Sequence, residues 1–424
     1  MFPRSFLRGL LACTPLLFAT ASLHASVARA TTVSPPFTLA QALERTRAAH
    51  PSLVASRRDV TAARSLEREA RRGPAPAFAA AIENFGGDLG SERYEATLTA
   101  EQTFELGGDR GARRGLSAAH TAIAWAEHEQ LRHEVEASTV EAYTDAWAVQ
   151  ERVERWREAA REAAAAAAAA AERHRVGAAP AHEVARARAN HSLRRIELER
   201  EERRLATALA LLAAHWRGSA DSIGVLTLAD PTTIVPADWA SLEAVLQHQP
   251  RMQRSTAERQ REAGQSSWVR AQRVPDVTVG AGARRLAELP GTGFVLSLTM
   301  PLPGPGTGPA AVEAAEESRA AGTSRADAEA LRLLSRVRDV HDRLAGALAS
   351  LRELRAEVLP VAEEAMRGLA SGFRSGGLTY LEVLDGHRSL LEARLLDIEL
   401  TREAWLAQME LERWTSAKAA GDAR

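Results

Sequence analysis

The chain lacks most of the chemistry on which enzymes and nucleic-acid-binding proteins depend. Its 424 residues include one cysteine and carry a net charge of -1. A single cysteine allows no disulfide within the chain and no cysteine-based zinc site, and the balanced charge offers no field for nucleic acid. A phosphate-binding loop and a catalytic constellation are also missing from the sequence. We therefore expect no enzyme activity, no cofactor, no metal site and no nucleic-acid partner.

Long apolar runs are scarce as well, and the main one marks a signal peptide. Arg4 and Arg8 precede a mostly apolar run over residues 10–23, and Ala28-Arg-Ala30 is a small-x-small cleavage site. This pattern predicts a secretory signal over residues 1–30.

The start of the mature chain has two interpretations. Cleavage after the signal would leave Thr31 near the new N-terminus, whereas Leu10-Leu-Ala-Cys13 resembles a lipoprotein box that would be lipidated at Cys13. Beyond residue 30 no segment reaches the roughly 20 consecutive apolar residues of a transmembrane helix. A transmembrane strand needs only about 10 residues, so membrane strands remain compatible with the sequence.

What the chain does contain is an internal repeat. A glycine-centred break between two helical patterns occurs twice, about 199 residues apart. Four residues of the first break return in the second: Arg175, Gly177, Glu183 and Val184 recur as Arg374, Gly376, Glu382 and Val383. Such a constant offset indicates a duplicated module. We predict a first repeat over residues 31–217, a linker over 218–236 and a second repeat over 237–424.

Each repeat is predicted to run helix, β-hairpin, very long helix, turn and helix. Thr38 and Gln41 form a capping box at the first helix, and His50-Pro51 interrupts that helix. Apolar and polar residues alternate in two predicted hairpins, with strands over residues 77–85, 94–104, 277–284 and 294–300. Alternation of this kind is typical of strands that have one apolar face.

The long helices follow the hairpins. Residues 107–176 contain no proline, so a single helix of about 70 residues is allowed. The counterpart over residues 309–374 contains Gly322, Gly346 and Pro360, at which we expect bends. Four strands cannot close a barrel, and free strand edges are not tolerated in lipid. Three chains would supply twelve strands, an even number that is wide enough for a pore.

At this point the sequence resembles the TolC-type outer-membrane factor family over residues 37–418. Two local strings, Glu83-Asn-Phe-Gly-Gly87 and Phe104-Glu-Leu-Gly-Gly-Asp-Arg110, are more specifically similar to its CzcC-type branch of heavy-metal efflux proteins. The fold class predicted is mainly α with a small β part. Long antiparallel helices would form an α-helical barrel, and two β-hairpins would contribute four strands to a trimeric 12-stranded transmembrane β-barrel.

The resemblance also implies a function: a passive homotrimeric conduit in the outer membrane of a Gram-negative bacterium, with a periplasmic helical tunnel. Its partners would be outer-membrane lipid, a periplasmic adaptor (membrane fusion protein) and an inner-membrane RND-type pump. The two breaks would form the adaptor-contacting tip: Val176, Gly177, Ser375, Gly376, Gly377 and Leu378. Acidic residues after the turns would form the gate: Glu183, Glu382 and Asp385. Phe373 and Leu378 occupy positions where the family's best-known member has a tyrosine and an arginine in its lock.

Two alternatives stay open. The same channel would also suit drugs or other small molecules, or type I secretion, because the inner-membrane pump selects the cargo in such assemblies. A periplasmic coiled-coil scaffold, whose hairpins pair in water, is the alternative from another class. The histidines are mostly expected to face solvent, and His174 and His182 flank the first turn.

Overall fold

The computed structural model describes residues 36–84, 94–246, 249–286, 291–302, 304 and 308–415. These residues belong to one compact unit, Pro36–Arg424. The predicted signal peptide lies outside the described residues, as do residues 85–87 of one branch-specific string and the middle of each hairpin loop. Within the described residues no helix has both the length and the apolar character needed to cross a membrane.

The order of elements is the same in both halves of the chain. The first half consists of β1 (Phe37–Thr38), α1 (Leu39–Ala49), α2 (Pro51–Glu69), β2 (Ala77–Glu83), β3 (Glu95–Phe104), α3 (Asp109–Arg175) and α4 (Ala181–Ala214). After a short strand β4 (Leu226–Thr227), the second half consists of α5 (Trp239–Leu246), α6 (Pro250–Ala271), β5 (Val277–Leu286), β6 (Thr292–Thr299), α7 (Pro309–Glu353), α8 (Leu359–Arg374) and α9 (Tyr380–Thr415).

Local sequence signals explain where the first helices begin and end. The predicted capping box is present, since the Thr38 side chain accepts from the Gln41 backbone N–H at 3.4 Å and the Gln41 side chain accepts from the Thr38 N–H at 3.0 Å. His50 has an extended backbone because it precedes Pro51, and Pro51 then starts α2, where its missing N–H costs nothing.

The two long helices differ because of one proline. Helix α3 runs for 67 residues without interruption, a length of about 100 Å. Its counterpart is divided into α7 and α8 by a π-helical segment, Leu354–Val358, which ends two residues before Pro360. Proline lacks an N–H and its ring clashes with the preceding turn, so the helix loosens there. Gly322 and Gly346 both lie inside α7, which continues as a helix through them, so the bends expected at these two glycines stay a prediction.

The two hairpins join into one antiparallel sheet with the order β2-β3-β5-β6. The register places most of the large apolar side chains on one face, among them Phe78, Leu98, Phe294, Leu296 and Leu298. Phe294 and Leu296 are 92% and 82% exposed. The other face carries polar groups, including an ion pair of 3.2 Å between Arg284 and Glu95. The sheet therefore exposes an apolar face to its surroundings, and β2 and β6 are its edges.

The linker is tied to the start of the chain, which the sequence did not reveal. Strand β1 pairs in parallel with β4, so that Phe37 lies beside Leu226. The buried hydroxyl of Tyr143 closes this junction: it lies 2.6 Å from the Phe37 carbonyl oxygen and accepts from the Thr227 N–H at 3.1 Å. The segment between the two halves, which contains β4, thus packs on α3.

Candidate functional site

The first turn, residues 176–180, follows the end of α3. Val176 caps the helix, and Gly177 has φ +77°. The Gly177 N–H donates to the His174 carbonyl at 2.9 Å and the Ala178 N–H donates to the Arg173 carbonyl at 2.8 Å. This pair of bonds is a Schellman motif, whose left-handed position favours glycine. Val176 is 61% exposed, so the turn presents its backbone and this side chain to solvent.

The second turn, residues 375–379, repeats this geometry after α8. Ser375 caps the helix and Gly376 has φ +84°. The Gly376 N–H donates to the Phe373 carbonyl at 3.1 Å, and the Gly377 N–H donates to the Gly372 carbonyl at 3.0 Å. The duplicated glycines therefore build the same turn twice. In both turns nothing lies within 4 Å of the point where a Cβ on the left-handed glycine would be.

The acidic residues after the turns occupy the same position but different environments. Glu183 and Glu382 are each the third residue of the returning helix. The Glu382 carboxylate accepts from both the backbone N–H and the hydroxyl of Thr379, each at 2.8 Å. These hydrogen bonds lower the pKa of Glu382. Pro180 has no N–H to offer Glu183, and the Glu183 side chain is instead only 13% exposed, facing Arg173 at 3.9 Å.

Arg173 connects the two turns. Its guanidinium carbon lies 4.7 Å from the centre of the Phe373 ring, a cation–π distance. Its Nη1 lies 3.5 Å from the carbonyl oxygens of both Phe373 and Leu378. The same nitrogen is 3.9 Å from Glu183 Oε1, an oxygen without a hydrogen-bond partner in the described part of the chain. One cation thus contacts the ring, the backbone and the carboxylate that surround it.

An apolar cluster lies beneath this cation. It joins both halves of the chain through Ala170, Val184, Ala187, Met366, Phe373, Tyr380, Val383 and Leu390. Phe373 and Tyr380 are tilted against each other with ring centres 6.2 Å apart. The alanine run before the first turn packs against this cluster, where small side chains let the helices approach closely. Gly386 serves the same purpose, since a Cβ there would lie 2.4 Å from Leu369 Cδ1.

Comparison with known proteins shows which proteins this chain resembles. A model of the family described as "Outer membrane efflux protein" matches residues 241–416. The cobalt-zinc-cadmium resistance protein CzcC of Cupriavidus metallidurans is 26% identical over 388 residues, which cover 89% of this chain and 90% of CzcC. Residues 241–416 thus match this family, and the similarity to CzcC extends over most of the chain.

Two further proteins are similar to this chain. The nickel and cobalt resistance protein CnrC of Cupriavidus metallidurans is 28% identical over 302 residues, 69% of this chain and 70% of CnrC. The crystal structure of the outer membrane protein VceC from Vibrio cholerae superposes with a TM-score of 0.75 at 19% identity, covering 89% of this chain and 95% of that chain. The chain accordingly shares the fold of VceC.

In this structure the predicted tip and gate residues are close in space but not equivalent. Phe373 is 5% exposed, so it belongs to the cluster between the turns. Leu378 is half-buried, and its side chain covers Gly372, where a Cβ would lie 2.6 Å from Leu378 Cδ1. Asp385 is exposed on α9, and Glu382 is exposed beside its own helix start.

Sequence reasoning missed Arg173, although the repeat contained a signal for it. The same offset that relates Gly177 to Gly376 relates Arg173 to Gly372. The long cationic side chain of Arg173, before the first turn, thus corresponds to the glycine at position 372 before the second turn. The asymmetry could have been noticed, but the partner of the arginine could not, because it lies in the other half of the chain.

The prediction that the histidines mostly face solvent was wrong for several of them. His128 is only 6% exposed, and its Nδ1 lies 2.7 Å from the Ser56 hydroxyl oxygen. His50 and His215 are half-buried, with ring centres 6.2 Å apart. Burial lowers the pKa of each of these three imidazoles. The His174 ring contacts its own turn, with Nδ1 2.7 Å from the Ala179 carbonyl oxygen.

Proposed function

We propose that this protein is an efflux channel that forms a homotrimeric passive conduit for heavy-metal cations in the outer membrane of a Gram-negative bacterium. Four strands from each chain would close a 12-stranded barrel, and the helices would continue it as a periplasmic tunnel. A periplasmic adaptor would bind at the two turns and connect the tunnel to an inner-membrane RND-type pump. The conduit itself would catalyse no reaction.

The observation that carries this proposal is the single apolar face of the sheet. Residues on that face are strongly exposed, as Phe294, Leu296 and Leu298 illustrate, and burying such side chains in lipid is favourable. The edges β2 and β6 each have one side without a neighbouring strand among the described residues. Pairing each β6 with β2 of the next chain would satisfy those edges in lipid, which supports a closed ring of three chains.

Metal cations are the preferred cargo for two reasons. The two curated relatives are named for resistance to cobalt, zinc, cadmium and nickel. The turn region also exposes the carboxylates of Glu382 and Asp385, and threefold symmetry would convert each into a ring of negative charge. Rings of carboxylates favour the passage of cations.

The docking assignment is tested by adding side chains at the two bare turns. In the double variant Gly177→Val with Gly376→Val, we expect trimers on unheated gels but loss of cobalt, zinc, cadmium and nickel resistance in a complemented deletion strain. Valine would add bulk where an adaptor must approach, but it would also strain a left-handed position by roughly 1–2 kcal/mol.

A matched pair of variants separates bulk from strain. Asparagine tolerates positive φ, so Gly177→Asn with Gly376→Asn adds bulk with little strain, and it should also lose resistance. Alanine at both glycines adds strain with little bulk, and it should retain more resistance than valine. Full resistance in the asparagine variant would contradict docking at the turns.

The bacterial deletion mutant also distinguishes the alternative cargoes, and fractionation of the protein distinguishes the alternative class. Deletion that sensitises cells to drugs while sparing metal resistance would favour drug efflux, and loss of a secreted protein would favour type I secretion. A periplasmic scaffold would fractionate without detergent, whereas the proposed channel should require detergent for extraction.

A further inference from the structure

Two imidazole rings from distant parts of the first half of the chain lie side by side. His50 occupies the break between α1 and α2, and His215 caps the end of α4. Their ring centres are 6.2 Å apart and their planes are inclined at 36°. The His50 N–H donates to the Thr46 carbonyl at 2.9 Å and the His215 N–H donates to the Leu212 carbonyl at 3.2 Å, so the backbone is fixed at both positions. Sequence spacing did not indicate this pair, because the two helix ends meet only in the folded chain.

One ring nitrogen of His50 is buried without a partner. Its Nδ1 is shielded from solvent and makes no hydrogen bond to any of the described residues. Buried polar atoms in folded proteins are nearly always paired, so an orphan nitrogen points to a water molecule or an ion that completes it. A neutral imidazole nitrogen with a free lone pair is the commonest metal ligand in proteins.

The tautomer of His215 follows from the hydrogen bonds of Thr139. The Thr139 hydroxyl is fully buried and donates its only proton to the Val135 carbonyl at 2.8 Å. It therefore accepts from His215 Nδ1, which lies 3.2 Å away. A proton on Nδ1 leaves the lone pair of the neutral ring on Nε2. Metal-binding histidines are typically held in this way, with one nitrogen donating to a neighbouring oxygen and the other free for the metal.

Both rings are available to an ion. Burial lowers the pKa of His50, and burial together with the charge of His50 lowers the pKa of His215. The rings are therefore neutral in neutral solution, which is the form that binds a metal. His215 also borders an open cavity of about 760 Å³ between α3 and α4, so an ion can approach this ring from solvent.

We propose that His50 Nδ1 and His215 Nε2 together bind one divalent metal cation of the zinc, copper, nickel or cobalt type. Zinc binds an imidazole nitrogen at about 2.1 Å, so one ion held by two rings separates the ring centres by about 5–6.5 Å, depending on the angle at the metal. The observed separation of 6.2 Å lies within this range. No third histidine, cysteine, aspartate or glutamate among the described residues joins the pair, so water would fill the remaining coordination positions. The ion would tie the break between α1 and α2 to the end of α4, whatever cargo the conduit carries.

The donor atoms determine the class of ion. Imidazole nitrogens suit zinc, copper and nickel, whereas calcium and magnesium require oxygen ligands. At a given nitrogen site, affinity rises from cobalt through nickel to copper and falls again at zinc. We therefore expect this order of affinities at the histidine pair and no competition from calcium or magnesium.

The test is isothermal titration of the purified protein in detergent with zinc, nickel or copper chloride, after removal of any histidine tag and treatment with a chelator. Thr139→Val keeps both ligands but removes the hydrogen bond that orients His215, and it should weaken binding by about 10- to 100-fold. His50→Ala and His215→Ala should each weaken binding further, and the double variant should add little to either. The matched control is His120→Ala, which removes an exposed imidazole and should bind as the wild type does.

A second measurement identifies the ligands directly and can be made on the wild type alone. Electron paramagnetic resonance of bound copper should show two imidazole nitrogens per ion in the wild type and at most one in each single variant. The proposal is overturned if the wild type binds these ions no more tightly than the double variant, because water would then complete the His50 nitrogen. A copper signal from a single imidazole in the wild type, or an equal loss of affinity in His120→Ala and His50→Ala, would also overturn it.

Discussion

The two turns have the same backbone but use their side chains differently. Gly177 and Gly376 adopt nearly the same left-handed φ, +77° and +84°, and each is followed by a glutamate at the third position of the next helix. In the first turn Glu183 is withdrawn beside Arg173. In the second turn Glu382 is exposed and fastened to Thr379. The two turns thus share one backbone geometry, while the side chains around them differ.

The divergence makes each turn depend on the other. His174 and Phe373 occupy equivalent positions in the repeat. His174 contacts its own turn through the Ala179 carbonyl, whereas Phe373 packs between the turns and receives Arg173 on its ring. Contacts within one chain thus hold the two turns together.

The largest effect is expected from Phe373→Ala. Removing a buried aromatic side chain costs about 3–5 kcal/mol, so the second turn should separate from the first. Hydrogen exchange should increase at backbone amides of residues 366–390. The equivalent His174→Ala loses one neutral hydrogen bond, about 0.5–1.5 kcal/mol, and should change exchange far less. Equal effects at the two positions would remove the distinction between the turns.

Arg173→Met should have an intermediate effect. The variant keeps an apolar chain but loses the cation–π contact, worth about 0.5–2 kcal/mol, and it leaves the Glu183 carboxylate without its cation. We expect faster exchange in both turns at once, because Arg173 contacts both. Arg175→Met, which removes an exposed cation paired only with Glu172 among the described residues, is the matched control. If the control has the same effect, the bridging role of Arg173 is wrong.

The smallest structural effect, but a clear electrical one, is expected from Glu382→Gln with Asp385→Asn. Trimers in a planar bilayer should be cation-selective and blocked by divalent ions from the periplasmic side, and the double variant should weaken both properties. Glutamine can still accept from Thr379, so the start of α9 should persist. Glu172→Gln near the first turn should change neither property. Unaltered selectivity and block in the double variant would contradict an acidic gate.

The pH dependence of that selectivity provides a sharper test. Hydrogen bonds from Thr379 lower the pKa of Glu382 below its ordinary value of 4.5. Its charge and these hydrogen bonds are therefore present at higher pH and are lost only as pH falls through the lowered value. Reversal potentials measured during acidification should show cation selectivity persisting below the titration range of an ordinary glutamate. Replacing Thr379 with alanine should move the loss to higher pH.

Much of the fold was predictable because its signals are local. Periodicity identified the helices and strands, His50-Pro51 located the first helix break, and the repeat located both glycine turns. The capping box was predicted from the four residues Thr38 to Gln41 alone. Each of these features depends on neighbours in the chain, whose geometry is fixed by backbone sterics and hydrogen bonding.

The sequence by itself determined the order of elements, the two left-handed glycine positions and the apolar face of each hairpin. Only the tertiary structure decided that β3 pairs with β5, that β1 pairs with β4, and that Arg173 reaches Phe373 across the repeat. It also decided that Glu183 is withdrawn while Glu382 is exposed. These outcomes depend on contacts between residues far apart in the chain, for which periodicity and local propensity provide no information about distance or burial.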